Sequence, residues 1–191
     1  MSMQTPHNTE HSTSRQRKIE DCLLENMEHH NYDRICVADM CRQMGISRRL
    51  YYTYFSDKES CLISLIDRIL YESMNIFPFP LMKTVSMQEM IVTYMLFWKD
   101  HAKFLDVIVK HRLKGLLIER SYIYFLSDGS VLLSYLNIPE EKTDSTTVWL
   151  YAAARFAVIF QWHEHNFETP VEEIALKYER LLKEPLIQNV F

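Results

Sequence analysis

The stretch Gly45–Glu59, GISRRLYYTYFSDKE, combines two adjacent arginines with four aromatic residues in five consecutive positions. On a helix that advances about 100° per residue, its side chains separate onto two faces. One face is cationic and polar and carries Arg48, Arg49, Tyr52 and Thr53. The opposite face is apolar and aromatic and carries Leu50, Tyr51 and Tyr54. We expect the second face to pack against other helices and the first to stay exposed.

The residues before this face predict a helix-turn-helix. Val37–Met44 has the spacing of a short amphipathic helix, and Gly45 is suited to end it. Ser47 can then cap a third helix, Arg48–Phe55. Two short helices joined by a three-residue turn that contains glycine are typical of this motif, whose second helix enters the DNA major groove. A solvated basic face on an ordinary helix pair is the alternative.

The flanking segments complete a small helical domain. The pattern predicts a first helix over Arg15–His30, followed by Asn31 in the left-handed conformation. Ser56 and Glu59 have the spacing of a capping box that would open a long fourth helix. Lys58 lies in the first turn of that helix, where its ammonium can join backbone N–H groups facing a phosphate.

The segment Ile19–Leu62 resembles the DNA-binding head of the tetracycline-repressor (TetR) family. The family pattern T-[VM]-x-x-I-A-x-x-A-G-V-S-x-G-T-L-Y-x-[HY]-F-x-[SN]-K-E-x-L is met here by CVADMCRQMGISRRLYYTYFSDKESC. Outright matches occur at Gly45, Ser47, Tyr52, Phe55, Lys58 and Glu59. The resemblance implies base contacts from Arg48 and Arg49 and phosphate contacts from Tyr52, Thr53 and Lys58. It also implies a phosphate contact from Tyr54, although the helical wheel turns this residue inward. The candidate DNA-binding residues are therefore Ser47, Arg48, Arg49, Tyr52, Thr53, Tyr54 and Lys58.

Departures from the family pattern bear on this assignment. Cys36 stands where the family usually has a threonine hydroxyl that contacts phosphate, and Arg49 and Leu50 replace a small residue and a threonine. Between Tyr32 and Glu59, five Lys and Arg residues face four Asp and Glu residues, so the local charge is only weakly positive. These features keep open a second class, an interaction protein of the same fold with a weak or lost DNA-binding role.

The rest of the chain also has the pattern of helices. Only 3 glycines and 6 prolines occur in 191 residues, which favours long helices over sheets with tight turns. Ser86 and Glu89 form a further predicted capping box, Asn166 a further left-handed helix end, and FPFP at Phe77–Pro80 a break. We expect an all-α chain with a disordered arm at 1–14, a helix-turn-helix DNA-binding domain at 15–62 and a ligand-binding and dimerisation domain at 63–191.

The C-terminal part is rich in aromatic residues, with 19 of the 24 falling at 71–191. The segments TYMLFW and YIYFL are apolar on more than one face, so these helices are buried all round or line a cavity. A helical core with aromatic walls is a usual site for a small apolar ligand, although simple packing explains most such residues. The candidate ligand-binding residues are Tyr94, Trp98, Phe104, Tyr122 and Phe125.

The last two helices resemble the dimerisation pair of the same family. The sequence AAA within WLYAAARFAVIFQW permits close helix approach, and Arg155 is a charge in an otherwise apolar segment. An ion pair at the interface is favoured for it over recognition of an anion. The candidate interface residues are Arg155, Ala157, Phe160, Glu164, Ile174, Tyr178 and Leu181.

Composition argues against several other classes. The net charge of −4 is incompatible with nucleic-acid binding by bulk charge. No run of about 18 apolar residues and no apolar N-terminal leader occur, so we expect a cytoplasmic protein without membrane contact. The four cysteines lack a CxxC pair, so we expect free thiols and no metal. No nucleophile–base set or phosphate loop is present, so neither an enzyme nor a cofactor is expected.

The favoured function is a homodimeric, ligand-responsive transcriptional regulator. It would act as a repressor that a small, largely apolar molecule releases from a near-palindromic operator in double-stranded DNA. Its partners would be that operator, an unknown small molecule and a second copy of the chain.

Overall fold

The computed structural model describes residues 10–76, 85–128 and 145–183, and every regular element in these ranges is a helix, which confirms the all-α prediction. The chain divides into two compact units, residues 1–68 and residues 69–191, so the division falls after Arg68. The α-helices are α1 (Glu10–His29), α2 (Val37–Met44), α3 (Arg48–Tyr51), α4 (Lys58–Met74), α5 (Met87–Asp100), α6 (Ala102–Lys110), α7 (Lys114–Asp128), α8 (Ser145–Glu164) and α9 (Val171–Lys183). A 3-10 turn, Tyr32–Arg34, lies between α1 and α2.

The first unit, residues 1–68, is a small bundle with a continuous apolar core. Leu23 and Met27 of α1, Met40 of α2, Tyr51 of α3 and Leu65 of α4 are fully buried. Leu23 and Met27 are four residues apart on one face of α1, and burying all five side chains removes large apolar surfaces from water. The core therefore holds α2 and α3 in a fixed mutual position.

A buried carboxylate joins α1 to α4 within the same unit. Glu20 is only 1% exposed, and its carboxylate accepts hydrogen bonds from Arg68 Nε at 2.5 Å and from Ser64 Oγ at 2.7 Å. Arg68 also donates to Asp21, which is largely exposed, at 2.5 Å. Because a buried charge is costly unless it is paired, this arrangement fixes the register of α4 against α1.

The second unit, residues 69–191, packs α5 chiefly against α9 and α7 against α8. Its core is aromatic, with Trp98 of α5, Phe104 of α6 and Phe156 of α8 among the fully buried side chains. The Trp98 and Phe156 rings meet edge to face, with centroids 5.2 Å apart. Phe125, Phe160 and Trp162 are buried as well, so a part of the aromatic surplus seen in the sequence is core packing.

Several local expectations hold. Ser86 and Glu89 form the predicted capping box of α5. Gly45, with φ of 65°, ends α2 as predicted, and Asn166, with φ of 51°, adopts the predicted left-handed conformation. FPFP, at 77–80, falls outside the described residues.

Two helix boundaries differ from the expectation. α1 begins at Glu10, five residues before the predicted start and inside the segment expected to be a disordered arm. The polar sequence there gives no apolar periodicity from which to place a start. The third helix ends at Tyr51 rather than Phe55, because the N–H groups of Thr53 and Tyr54 bond to carbonyl oxygens three residues back, at 3.1 and 2.9 Å.

Two predicted helix ends are wrong. Asn31 is extended, with φ of −65° and ψ of 133°, because it leads into the 3-10 turn. At the start of α4, Asp57 rather than Ser56 receives the N–H of Ser60, at 2.7 Å to Oδ1, and Ser60 Oγ accepts from the N–H of Asp57 at 3.2 Å. The D-x-x-S pair thus replaces the overlapping S-x-x-E pair as the cap.

Candidate nucleic-acid interface and candidate ligand site

The turn between α2 and α3 is set by a helix-ending motif and a cap. The N–H of Ile46 donates to the carbonyl oxygen of Cys41 at 2.9 Å, and the N–H of Gly45 to that of Arg42 at 3.2 Å, which is the Schellman pattern. Gly45 supplies the required positive φ. Ser47 Oγ then accepts the N–H of Leu50 at 3.1 Å and caps α3. Three residues thus turn the chain from one helix into the next.

The faces of the third helix are those predicted from the sequence. Arg48, Arg49, Tyr52 and Thr53 are exposed. Tyr51 is fully buried, and its hydroxyl donates to the carbonyl oxygen of Asp57 at 3.0 Å, which ties the end of this segment to the start of α4. An exposed face of two guanidinium groups, a phenol and a threonine therefore stands on a rigid support.

Within this face, neighbouring groups orient one another. The Arg48 guanidinium carbon lies 5.9 Å from the centroid of the Tyr52 ring, a cation–π distance. The Thr53 hydroxyl donates to the carbonyl oxygen of Leu50 at 2.7 Å, so its oxygen remains available only as an acceptor. Arg49 is exposed and presents its fork of N–H donors to solvent.

Lys58 is placed differently from the expectation that its ammonium faces a phosphate. Its Nζ donates to the carbonyl oxygens of Tyr32 at 2.5 Å and Ile35 at 2.8 Å, and lies 4.1 Å from the centroid of the Tyr32 ring. Two of its three N–H donors are thus committed to the segment between α1 and α2. The lysine acts first as a tie within the unit, and one donor remains for another acceptor.

Tyr54 does not join the exposed face. It is half-buried and lines an open groove together with Ile19 and Cys22 of α1 and Met44 of α2. This position agrees with the helical wheel, which turned Tyr54 away from the arginines.

The start of α2 carries a feature that sequence reasoning missed. The Cys36 thiol donates to Asp39 Oδ2 at 2.9 Å, and Arg42 Nη1 donates to Asp39 Oδ1 at 2.7 Å. The bond from Cys36 and the pairing with Arg42 lower the pKa of Asp39, so it is a carboxylate at neutral pH. Cys36 therefore holds a negative charge at a helix start, a position otherwise suited to a phosphate. The spacing C-x-x-D was the available signal.

In the second unit, four of the five candidate ligand residues lie in two groups, one around Trp98 and one beside Arg155. Trp98 lies 6.2 Å from Tyr94 and 6.4 Å from Phe104 between ring centroids. Phe125 lies 4.5 Å from the guanidinium carbon of Arg155. Tyr122, the fifth, packs against the apolar cluster that contains Phe125 and stacks at 5.0 Å on the exposed Trp149.

Arg155 is the unexpected centre of this group. It is only 5% exposed, and its Nη2 donates to Ser121 Oγ at 2.5 Å while its Nη1 donates to Met74 Sδ at 3.3 Å. Its guanidinium carbon lies 5.2 Å from the Tyr94 ring and 5.0 Å from the Phe156 ring. Among the ion pairs of the described residues, none involves Arg155.

Three buried polar groups around this centre have no partner in the part of the chain that the structure describes: Arg155 Nε, Tyr94 Oη and Trp98 Nε1. Burial raises the pKa of Tyr94, and the charge of Arg155 and the nearby Trp98 N–H oppose that rise only in part. The Trp98 N–H lies close enough to the Tyr94 hydroxyl to lower the pKa of Tyr94, but the two groups are not placed for a hydrogen bond. Trp98 Nε1 and Tyr94 Oη therefore both remain without a partner. All three groups are N–H or O–H donors.

The candidate dimer residues fall into two sets. Ala157 and Glu164 are exposed, and Glu164 pairs with Lys114 of the same chain at 2.6 Å. Arg155, Phe160 and Ile174 are buried within their own unit. Tyr178 is half-buried, and the side chain of Leu181 lies outside the described residues.

The described residues contain neither a metal-binding cluster nor a membrane-spanning helix. In the ranges 10–76, 85–128 and 145–183, no group of three or more His, Cys, Asp or Glu residues is arranged to hold a metal ion. No described helix is both long and apolar enough to cross a membrane.

Comparison with solved structures finds a similar fold. The fatty acid degradation regulator FadR from Bacillus halodurans superposes with a TM-score of 0.58 at 17% identity, over 91% of this chain and 96% of that chain. No protein-family model matches the sequence, and no curated protein matches it. At this identity the likeness shows the all-helical fold alone.

Proposed function

We propose that the chain is a ligand-responsive, DNA-binding transcriptional regulator of the TetR type. The observation that carries the proposal is the exposed face of Arg48, Arg49, Tyr52 and Thr53 on the second helix of a rigid helix-turn-helix. The fold shared with a fatty acid degradation regulator supports it.

The residues of this face have separate roles in the proposal. Arg48 and Arg49 read base edges, since arginine is the commonest bidentate partner of guanine O6 and N7. Tyr52 and Thr53 contact the phosphate backbone and set the register of the helix in the groove. Lys58 uses its remaining N–H for a phosphate, while its other two hold the 3-10 turn.

The regulator works as a homodimer and as a repressor in this proposal. A near-palindromic operator would then place its half-sites about 34–36 Å apart or at a multiple of that distance, so that both recognition helices face one side of the duplex. The exposed side of α8, which includes Leu150 and Ala157, is the proposed contact between copies, because Phe160 is already used within the chain. The small molecule that releases DNA binds in the aromatic core of the second unit.

One observation favours the alternative function, an interaction protein of the same fold with weak DNA binding. Asp39 places an exposed carboxylate at the start of α2, and like charge there would repel a phosphate.

A salt series separates the two functions. The full chain is titrated with fluorescent genomic fragments and with random duplexes of equal length between about 50 and 200 mM salt, the range over which phosphate contacts lose most of their affinity. A regulator selects a subset of genomic fragments and shows a steep salt slope on all DNA. Affinity that is uniformly weak and independent of sequence would instead support the interaction protein.

A further inference from the structure

We propose that the cluster around Arg155 binds the carboxylate of an apolar acid, an alkyl or aryl monocarboxylate whose body lies among the aromatic side chains of the second unit. This inference rests on the proposed function, since it names the class of small molecule that the regulator would sense. It replaces the ion pair at a dimer interface that the sequence favoured for Arg155.

The charge of Arg155 is the first argument. The guanidinium is 5% exposed, and its contacts are a serine hydroxyl, a thioether and three aromatic rings, all of them neutral. Buried charges in proteins are normally paired with an opposite charge. Among the described residues no carboxylate fills that role, so the compensating anion comes from outside this part of the chain.

The unpaired donors are the second argument. Arg155 Nε, Tyr94 Oη and Trp98 Nε1 are all buried without an acceptor. They belong to one cluster, because the Tyr94 ring lies 5.2 Å from the Arg155 guanidinium carbon and 6.2 Å from the Trp98 ring. A neutral polar ligand such as an alcohol would supply one oxygen. A carboxylate supplies two, with about four lone-pair sites, and matches the fork of an arginine.

The surroundings select a monoanion with an apolar body. Arg155 contributes one positive charge, so a phosphate dianion would leave a second negative charge buried without compensation. Phe125, Val148 and Ala152 form an apolar cluster next to the guanidinium, with Met74 and Tyr122 packed against it. A charged head with an alkyl or aryl body satisfies both parts of the site.

A purely structural role for Arg155 makes a different prediction. Its bond to Ser121 joins α8 to α7, and its contact with Met74 joins α8 to the end of α4. If those contacts were the reason for the residue, removing the guanidinium would destabilise the protein. If the charge exists to receive a ligand, an apolar replacement of similar length relieves an uncompensated charge and leaves the unliganded protein equally or more stable.

The experiment measures thermal unfolding of the full chain in the absence of DNA. The probes are octanoate, decanoate, benzoate and 4-phenylbutyrate, each compared with its neutral primary amide, together with phenyl phosphate. We expect at least one carboxylate to raise Tm in a concentration-dependent way, its amide to have no effect, and phenyl phosphate to be weaker than benzoate. The alkyl and aryl members then identify the body of the ligand.

Variants assign the effect to the cluster. Arg155→Met should unfold at the same or a higher temperature without ligand and should no longer respond to the carboxylate. Arg180→Met, which removes an exposed arginine from α9, should respond as the wild type does. Tyr94→Phe keeps the packing of the ring and removes one donor, so it should weaken carboxylate binding about tenfold or more; it also decides the matter if Arg155→Met does not fold.

Several outcomes would overturn the inference. They are equal shifts with acids and amides, no shift with any carboxylate, a carboxylate response that survives in Arg155→Met, and unchanged affinity in Tyr94→Phe. The readout does not involve DNA. Selective DNA binding without a carboxylate response would refute this inference alone, whereas a carboxylate response without DNA binding would refute the proposed function alone.

Discussion

The ammonium of Lys58 lies 2.5 Å from the carbonyl oxygen of Tyr32, and this contact ties the first turn of α4 to the segment that precedes α2. Lysine at the start of a helix is poorly placed against the helix dipole, so its position here needs a compensating partner. The backbone carbonyl oxygens of Tyr32 and Ile35 provide it.

Lys58→Met should therefore destabilise the first unit by about 1–3 kcal/mol, because two carbonyl oxygens lose a charged donor. It should also lower the salt slope of DNA binding by about one, through the N–H that remains for a phosphate. Urea denaturation and the salt series measure the two effects separately. Lys18→Met, at an exposed position of α1, is the matched control. Equal stability of the Lys58 and Lys18 variants would show that the hydrogen bonds of Lys58 do not stabilise the first unit.

The cap of α4 can be tested with neighbouring residues. Asp57→Ala should destabilise the protein because it removes the acceptor of the Ser60 N–H, whereas Ser56→Ala should have a much smaller effect. The bonds from Ser60 and Ser56 lower the pKa of Asp57 below its usual 3.8. Its stabilising effect is therefore complete above that pH and is lost as the pH falls through the lower folded-state value. Denaturation between pH 2 and 7 should show the free energies of unfolding of the wild type and Asp57→Ala converging at the acid end. A difference between them that does not change with pH would argue against the cap.

Self-association should depend on Ala157 rather than on Phe160. Ala157→Glu places a charge on the exposed side of α8 and should yield folded monomers that no longer bind the operator tightly. Phe160→Glu should unfold the second unit, because that ring is 5% exposed and packs against Phe156 at 6.0 Å between centroids. Sedimentation and circular dichroism distinguish the two outcomes, with Lys103→Glu as the surface control. A wild-type mass of one chain at micromolar concentration would refute the dimer.

Ligand control should pass through α4, which begins in the first unit and ends in the second. For a hundredfold loss of DNA affinity, the ligand must favour the releasing state by about 2.7 kcal/mol. In a background without the four native cysteines, introduced cysteines can cross-link the two DNA-binding units of the dimer at the DNA-competent spacing. The cross-linked dimer should keep operator binding when ligand is added. The same protein after reduction serves as the control and should release DNA. Release by the cross-linked dimer, with ligand affinity intact, would contradict this route.

Features that depend on residues close together in the sequence could be predicted, whereas features that depend on residues far apart could not. The two faces of α3 and the end of α2 at Gly45 follow from spacing within a few residues, and both are confirmed. Asn31 was misassigned because the following 3-10 turn dictates its conformation.

The apolar stripe containing Phe160 has the same pattern whether it faces its own core or a second copy, so periodicity could not decide between them. Sequence reasoning singled out Arg155, Tyr94 and Trp98 separately but could not group them into one cluster. The Arg155 partners Ser121 and Met74 lie 34 and 81 residues away along the chain, and no local pattern brings them together.

The central claim is that the exposed arginines of α3 read DNA sequence. Fragments selected from the genome in the salt series supply the operator, and Arg48→Ala, Arg49→Ala and the control Arg180→Ala are titrated with it, with single-base variants and with random duplexes. Each variant of α3 should lose about 1–3 kcal/mol of binding free energy on the operator and discriminate less at one base pair, while Arg180→Ala binds as the wild type does. Unchanged affinity of Arg49→Ala for both operator and random DNA would contradict the assignment.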